Sequence, residues 1–187
     1  MLFSDNTRHS YANSPLIEVI CQLRFPTILS IGSTVHAQYQ QAVRDEFPQY
    51  VARQEQQPIK ITNPNAPQPQ IERPAPITNY NFISADNRWK LNLTNTFISL
   101  STVSYPGWED FGKHFDLPLA QFIRIYQPAF FERIGLRYVN IFSRRKLDLE
   151  GELWRDLITP PYLGALAEED VDESSARKCS VDVERNL

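Results

Sequence analysis

Tyr80-Asn-Phe-Ile-Ser-Ala-Asp-Asn-Arg-Trp-Lys-Leu-Asn-Leu-Thr-Asn-Thr-Phe-Ile-Ser-Leu-Ser-Thr-Val-Ser104 is three short runs of aromatic, aliphatic and β-branched residues cut by two turn signals. Ala85-Asp-Asn87 supplies the first turn and Thr94-Asn95 the second. In the middle run Trp89, Leu91 and Leu93 fall on one side, and a period of two marks a half-buried strand. Connections this short join antiparallel neighbours, so the stretch predicts a three-stranded meander.

Working back from it, residues 52–78 hold six of the 14 prolines with glutamines between them, and read as a Pro/Gln-rich loop. Within it, Gln70-Ile-Glu-Arg73 is compatible with a strand that its flanking prolines confine to an edge. Before the loop, Val35, Tyr39, Val43 and Phe47 recur every four residues, which predicts an amphipathic helix capped by Ser33 or Thr34 and stopped by Pro48. Earlier still, Pro15 to Phe25 alternates. Ile17, Val19, Cys21, Leu23 and Phe25 share one face, and Glu18, Gln22 and Arg24 the other, interrupted by Ile20. Residues 1–14 read as a flexible arm.

Beyond the meander, Pro106 opens a helical pattern with Trp108, Phe111 and Phe115 in phase, its cap expected near Ser104 or Tyr105. Asp116 and Pro118 restart it with Leu119, Phe122, Ile123 and Tyr126, and Pro128 closes it. A last strand spans Phe130 to about Phe142. Ile134, Leu136, Tyr138 and Phe142 lie on one face, Arg133 and Arg137 on the other. The order β-α-β-β-β-α-β predicts an α+β domain over 15–142: an antiparallel sheet of about five strands with two amphipathic helices on one face. Both an elaborated ferredoxin-like sheet and a curved sheet gripping a helix fit that order. Residues 143–167 read as a short helical extension, and 168–187 as a disordered acidic tail.

Hydrophobic residues at 42% and charged residues at 22% are ordinary for a folded domain, and 187 residues allow one domain plus an extension. The net charge of −3 argues against bulk nucleic-acid binding. Two cysteines, Cys21 and Cys179, form no disulfide framework, which suits a reducing compartment. No apolar run approaches the ~20 residues of a membrane span, so the expected location is cytoplasmic.

Chemistry is sparse. The six glycines are too dispersed to wrap a phosphate, and His9, His36 and His114 lack metal-ligand spacing, so neither cofactor nor metal is expected. No lysine has an acid two residues before it, as a metal-dependent nuclease of that pattern would require. Cys21 falls on an apolar strand face, where a thiol is packed rather than nucleophilic. Arg144-Arg-Lys146 is a short basic run that suits a solvated strand end. The polar face of the first and last strands carries Arg24, Arg133 and Arg137 with Glu18 and Gln22. If those strands are neighbours, the groups form one cluster able to hold carboxylate or phosphate.

Three phrases, Asn13-Ser-Pro-Leu-Ile-Glu-Val19 continuing to Pro26, Trp108-Glu-Asp-Phe111, and Tyr126 to Asn140 with its Arg133-Ile-Gly-Leu-Arg-Tyr138, carry a resemblance. Over residues 11–142 the chain resembles a sporadically distributed, uncharacterised prokaryotic protein family. The resemblance implies a bacterial or archaeal cytoplasmic protein and brings no activity and no catalytic residues. It also implies a further strand-and-helix segment, in whose place the acidic tail stands, leaving a sheet edge open to a protein partner or to self-association. The expected function is a non-enzymatic binding or protein-interaction module. The alternative is an enzyme, such as a hydrolase, whose dispersed site draws on Glu18, Arg137 and His114.

Overall fold

The computed structural model describes residues 14–33, 36–62, 70–72 and 74–181. The chain forms two compact units, Met1–Ile141 and Phe142–Leu187. In the first, β1 (Leu16–Arg24) leads to two short helices, α1 (Leu29–Ser33) and α2 (Ala37–Val43). Then come β2 (Gln49–Glu55), β3 (Lys60–Thr62), β4 (Gln70–Glu72), β5 (Ile77–Ile83), β6 (Trp89–Leu93) and β7 (Phe97–Thr102). Helix α3 (Trp108–Tyr126) and β8 (Arg133–Asn140) complete the unit.

Six strands form one antiparallel sheet in the order β2-β5-β6-β7-β1-β8, and among the described residues β3 pairs only with β4. The α+β class is as expected, and the quoted stretch is the β5-β6-β7 meander. The element order differs in two places. The helix expected over 35–47 is the shorter α2, and an unexpected helix, α1, precedes it. Ser33 ends α1 rather than capping α2, and Thr34 lies outside the described residues. The stretch 52–78 expected as loop contains paired backbone at 52–55, 60–62, 70–72 and 77–78. The pairs from Gln49↔Ile83 to Glu55↔Ile77 and those from Lys60↔Glu72 to Thr62↔Gln70 keep one common register. β2-β5 and β3-β4 are therefore two stretches of one long hairpin. β2 is exposed along its whole length, so no face of it is buried and its sequence shows no alternation to read. With six strands between α2 and α3, the path is not the βαββαβ of a ferredoxin-like unit.

The core is easiest to follow along one row across the sheet: Tyr50, Phe82, Leu91, Leu100, Cys21 and Leu136, one residue per strand. The middle four are buried and the two ends are exposed. The reason is the helix layer. Tyr39 of α2 packs its ring on Phe82 at 5.3 Å, and Phe111 of α3 packs on Trp89 at 5.6 Å. Phe122 meets Phe25 at 4.8 Å. Two helices cover the middle of a six-stranded sheet and leave its margins bare.

The helical pattern expected to restart at Asp116 is one continuous helix with Pro118 inside it. Proline in a helix interior costs about 3 kcal/mol. Burial of Phe111, Phe115, Pro118 and Phe122 on one stripe offsets that. The N-cap is Gly107, at φ +149°, rather than Ser104 or Tyr105. Gln127 closes the helix in the left-handed region, its N–H on the Ile123 carbonyl at 3.0 Å.

The second unit contains α4 (Trp154–Leu157) and four 3₁₀ turns. The Arg144 guanidinium lies 4.9 Å from the Trp154 ring centre and pairs with the Glu173 carboxylate, which also accepts the Trp154 N–H at 2.7 Å. Glu173 belongs to the stretch expected as a disordered tail. A 3₁₀ turn at Glu173–Ser175, capped by the Asp172 side chain, stands there instead. Residues 1–13 of the expected arm and 182–187 of the tail lie outside the described residues.

Candidate functional site

Strand alternation assigns each side chain to a face. Since Val19, Cys21 and Leu23 face the helices, Glu18, Gln22 and Arg24 face the opposite, open side. β8 is the antiparallel neighbour of β1, with Arg133 directly across from Arg24, Arg137 across from Ile20, and Val139 across from Glu18. The adjacency the sequence could only posit is therefore present, and all four candidates, Arg24, Arg133, Arg137 and Glu18, share one face.

Their electrostatics are less balanced than a surface of mutual ion pairs. Among the described residues none of the three arginines has an acidic side chain within 4.0 Å. Arg133 donates from Nη2 to Oε1 of Gln22 at 3.4 Å. Glu18 lies opposite Val139, two positions along the strand from the Ile20–Arg137 pair. Two like charges directly opposite across a strand pair are destabilising, by a few tenths to ~1 kcal/mol.

The open face continues as a polar row that sequence reading missed. Across the sheet run Asn81 of β5, Asn92 of β6, Ser99 of β7 and Gln22 of β1, in direct register. Asn92 donates from Nδ2 to Oδ1 of Asn81 at 2.8 Å and of Asn79 at 3.3 Å. Asn79 donates to Glu55 at 3.0 Å. Oδ1 of Asn92 is buried with no partner among the described residues. The available signal was phase: Asn79, Asn81, Asn92 and Ser99 stand out of step with the apolar positions of their strands.

His114 lies elsewhere. Its ring sits 4.0 Å from that of Trp89, which is paired with Thr102 and through it with Val19 on the helix side of the sheet. Its Nδ1 contacts the carboxylate of Glu46. The sheet thus separates His114 from Glu18 and Arg137, and folding does not assemble those three. Cys21 is buried, and burial pushes its thiol pKa up, opposite to what a nucleophile needs.

His36 is buried against the Tyr80 ring, with Nδ1 2.7 Å from the Tyr126 hydroxyl. Burial holds its pKa down, opposed by the nearby Ile31 carbonyl, although Nε2 makes no hydrogen bond of normal geometry among the described residues. A hollow of about 310 Å³ at the base of the hairpin is lined by Gln57, Pro76, Tyr80 and Asn95 among others, with no charged residue. The described residues contain no cluster of three or more His, Cys, Asp or Glu side chains placed to hold a metal, and no helix long and apolar enough to cross a membrane. Comparison with protein-family models, with curated proteins and with solved structures finds no match to the chain.

Proposed function

We propose that this chain is a binding module of the reducing cytoplasm that takes an anionic segment of a protein partner on the open face of its sheet. The observation that supports it is the triad Arg24, Arg133 and Arg137, gathered on two adjacent strands without an acidic partner among the described residues. Arginine forks match carboxylates in two-point geometry. A bound carboxylate would relieve the repulsion between Arg24 and Arg133. The amide row beside them offers donors and acceptors to a peptide backbone. The free thiols of Cys21 and Cys179 are compatible with that compartment.

Retention on immobilised poly-glutamate tests the reading. The chain should be retarded at low salt and elute as salt rises. Changing Arg24, Arg133 and Arg137 together to Gln should abolish retention while leaving the circular dichroism unchanged. Equal retention of the variant would retire this face as the site.

The enzyme reading keeps one observation, the His114–Glu46 contact beside Trp89. A histidine oriented by a carboxylate is a general-base arrangement. Ester hydrolysis by the purified chain that disappears in His114→Ala would favour it.

A further inference from the structure

β8 is the end strand of the sheet, and one strand spacing separates a sealed core from an uncovered one. Leu23, Cys21 and Val19 are buried, while their direct partners Ile134, Leu136 and Tyr138 are 70%, 45% and 46% exposed. Outer strands usually carry proline or lysine, or turn a charge toward the core side, to deter pairing. Arg133–Asn140 contains no proline and no lysine, and its two arginines point to the open face.

The backbone is equally available. The Phe25 N–H bonds the Thr96 carbonyl at 3.0 Å, so alternation turns the backbone groups of Leu23, Cys21 and Val19 toward β7 and those of Arg24, Gln22 and Ile20 toward β8. Their partners Arg133, Gly135 and Arg137 are therefore bonded inward. Ile134, Leu136 and Tyr138 present their N–H and C=O groups outward. Among the described residues, the unpaired ladder and the uncovered apolar stripe belong to the same three residues.

We propose that β8 pairs antiparallel with β8 of a second copy of this chain, on a two-fold axis through Leu136. The side chains choose this register. It sets Leu136 against Leu136 and Ile134 against Tyr138 on one face, and Arg137 against Gly135 and Arg133 against Val139 on the other. Sliding two residues one way opposes Arg137 to Arg137; sliding two the other way opposes Arg133 to Arg137. Both place like charges directly across the pair. A one-residue slip opposes outward backbone groups to inward ones. Only the Leu136-centred pairing is self-complementary in charge, apolar contact and hydrogen bonding together. The result is a continuous sheet of twelve strands.

The proposal does not rest on the anion-binding reading, because the arginine triad changed to Gln leaves the ladder and the apolar stripe intact. Sedimentation of the full chain over a concentration series should show a dimer, weakened about tenfold or more by Leu136→Lys, which sets two ammonium groups on the axis. Cross-linking guards against simple misfolding of that variant. In a Cys179→Ser background, Leu136→Cys should form an intermolecular disulfide under mild oxidation, since directly opposed, hydrogen-bonded residues have Cα atoms about 5.5 Å apart. Ile134→Cys should not, because its two copies stand four residues apart along the ladder. A chain that stays monomeric at its highest soluble concentration overturns the proposal. So does a dimer that Leu136→Lys leaves intact, or one that cross-links equally well from both positions.

Discussion

Arg24 and Arg133 face each other across neighbouring strands, and among the described residues no carboxylate separates them. At this scale the chain accepts a small local cost to gather positive charge on the open face. His36 carries a second local cost. It is 4% exposed, and desolvation holds its pKa below the ordinary value of about 6.5. The unfolded chain then takes up a proton that the folded chain refuses. The stability associated with neutral His36 is fully present above about pH 6.5 and is lost as pH falls from there toward the lowered folded value. Denaturant midpoints should therefore drop on acidification through that window. His36→Phe should flatten the drop, at the expense of the Tyr126 hydrogen bond. An identical pH slope in the variant would assign the effect to other groups. Phe122, fully buried against Phe25, is the ordinary contrast: Phe122→Ala should cost about 3–5 kcal/mol at every pH, read from the same midpoints.

Among the elements, the long hairpin is the least like the rest. Its outer stretch is paired only with itself, so it should be dispensable to the core. Replacing residues 56–76 with Asn-Gly joins the paired residues Glu55 and Ile77 through a two-residue turn. Thermal unfolding followed by circular dichroism should move by only a few degrees. Loss of the cooperative transition would mean that the hairpin supports the sheet. The same element shows where sequence reading stops. β1 and β6 alternate because one face meets the helices and the other faces outward, and β8 carries the same alternation although its apolar side is exposed, so periodicity in these strands carries the fold. β2 has two exposed faces, and its continuation is spaced by prolines, so composition speaks of loop where the backbone is paired. α1 escaped notice because its five residues are too few to show a helical period. Pro118 misled in the opposite sense, since tertiary burial overrode a local helix breaker. At the site, the faces of Arg24, Arg133 and Arg137 were legible from strand phase, but their convergence depended on β8 lying beside β1. The Asn79–Asn81–Asn92 network joins strands whose register no local pattern specifies.

For the whole molecule, the division after Ile141 carries its own expectation: a chain ending there should keep cooperative unfolding and the near-ultraviolet circular dichroism of its buried aromatic rings. If β8 pairs across a two-fold axis, six arginines from two copies gather on one continuous face. Added salt should then strengthen the dimer by screening their repulsion, while weakening retention on poly-glutamate. Those opposite salt dependences separate the two interactions. The central claim, that the open face is the binding surface, is tested most directly by nuclear magnetic resonance of the arginine Nε–Hε groups during titration with oligo-glutamate. Saturable shifts at Arg24, Arg133 and Arg137, with Arg53 and Arg155 unmoved, are the predicted result. Shifts confined to Arg144 and Arg145, or no saturable shift at the three β1 and β8 arginines, would contradict it.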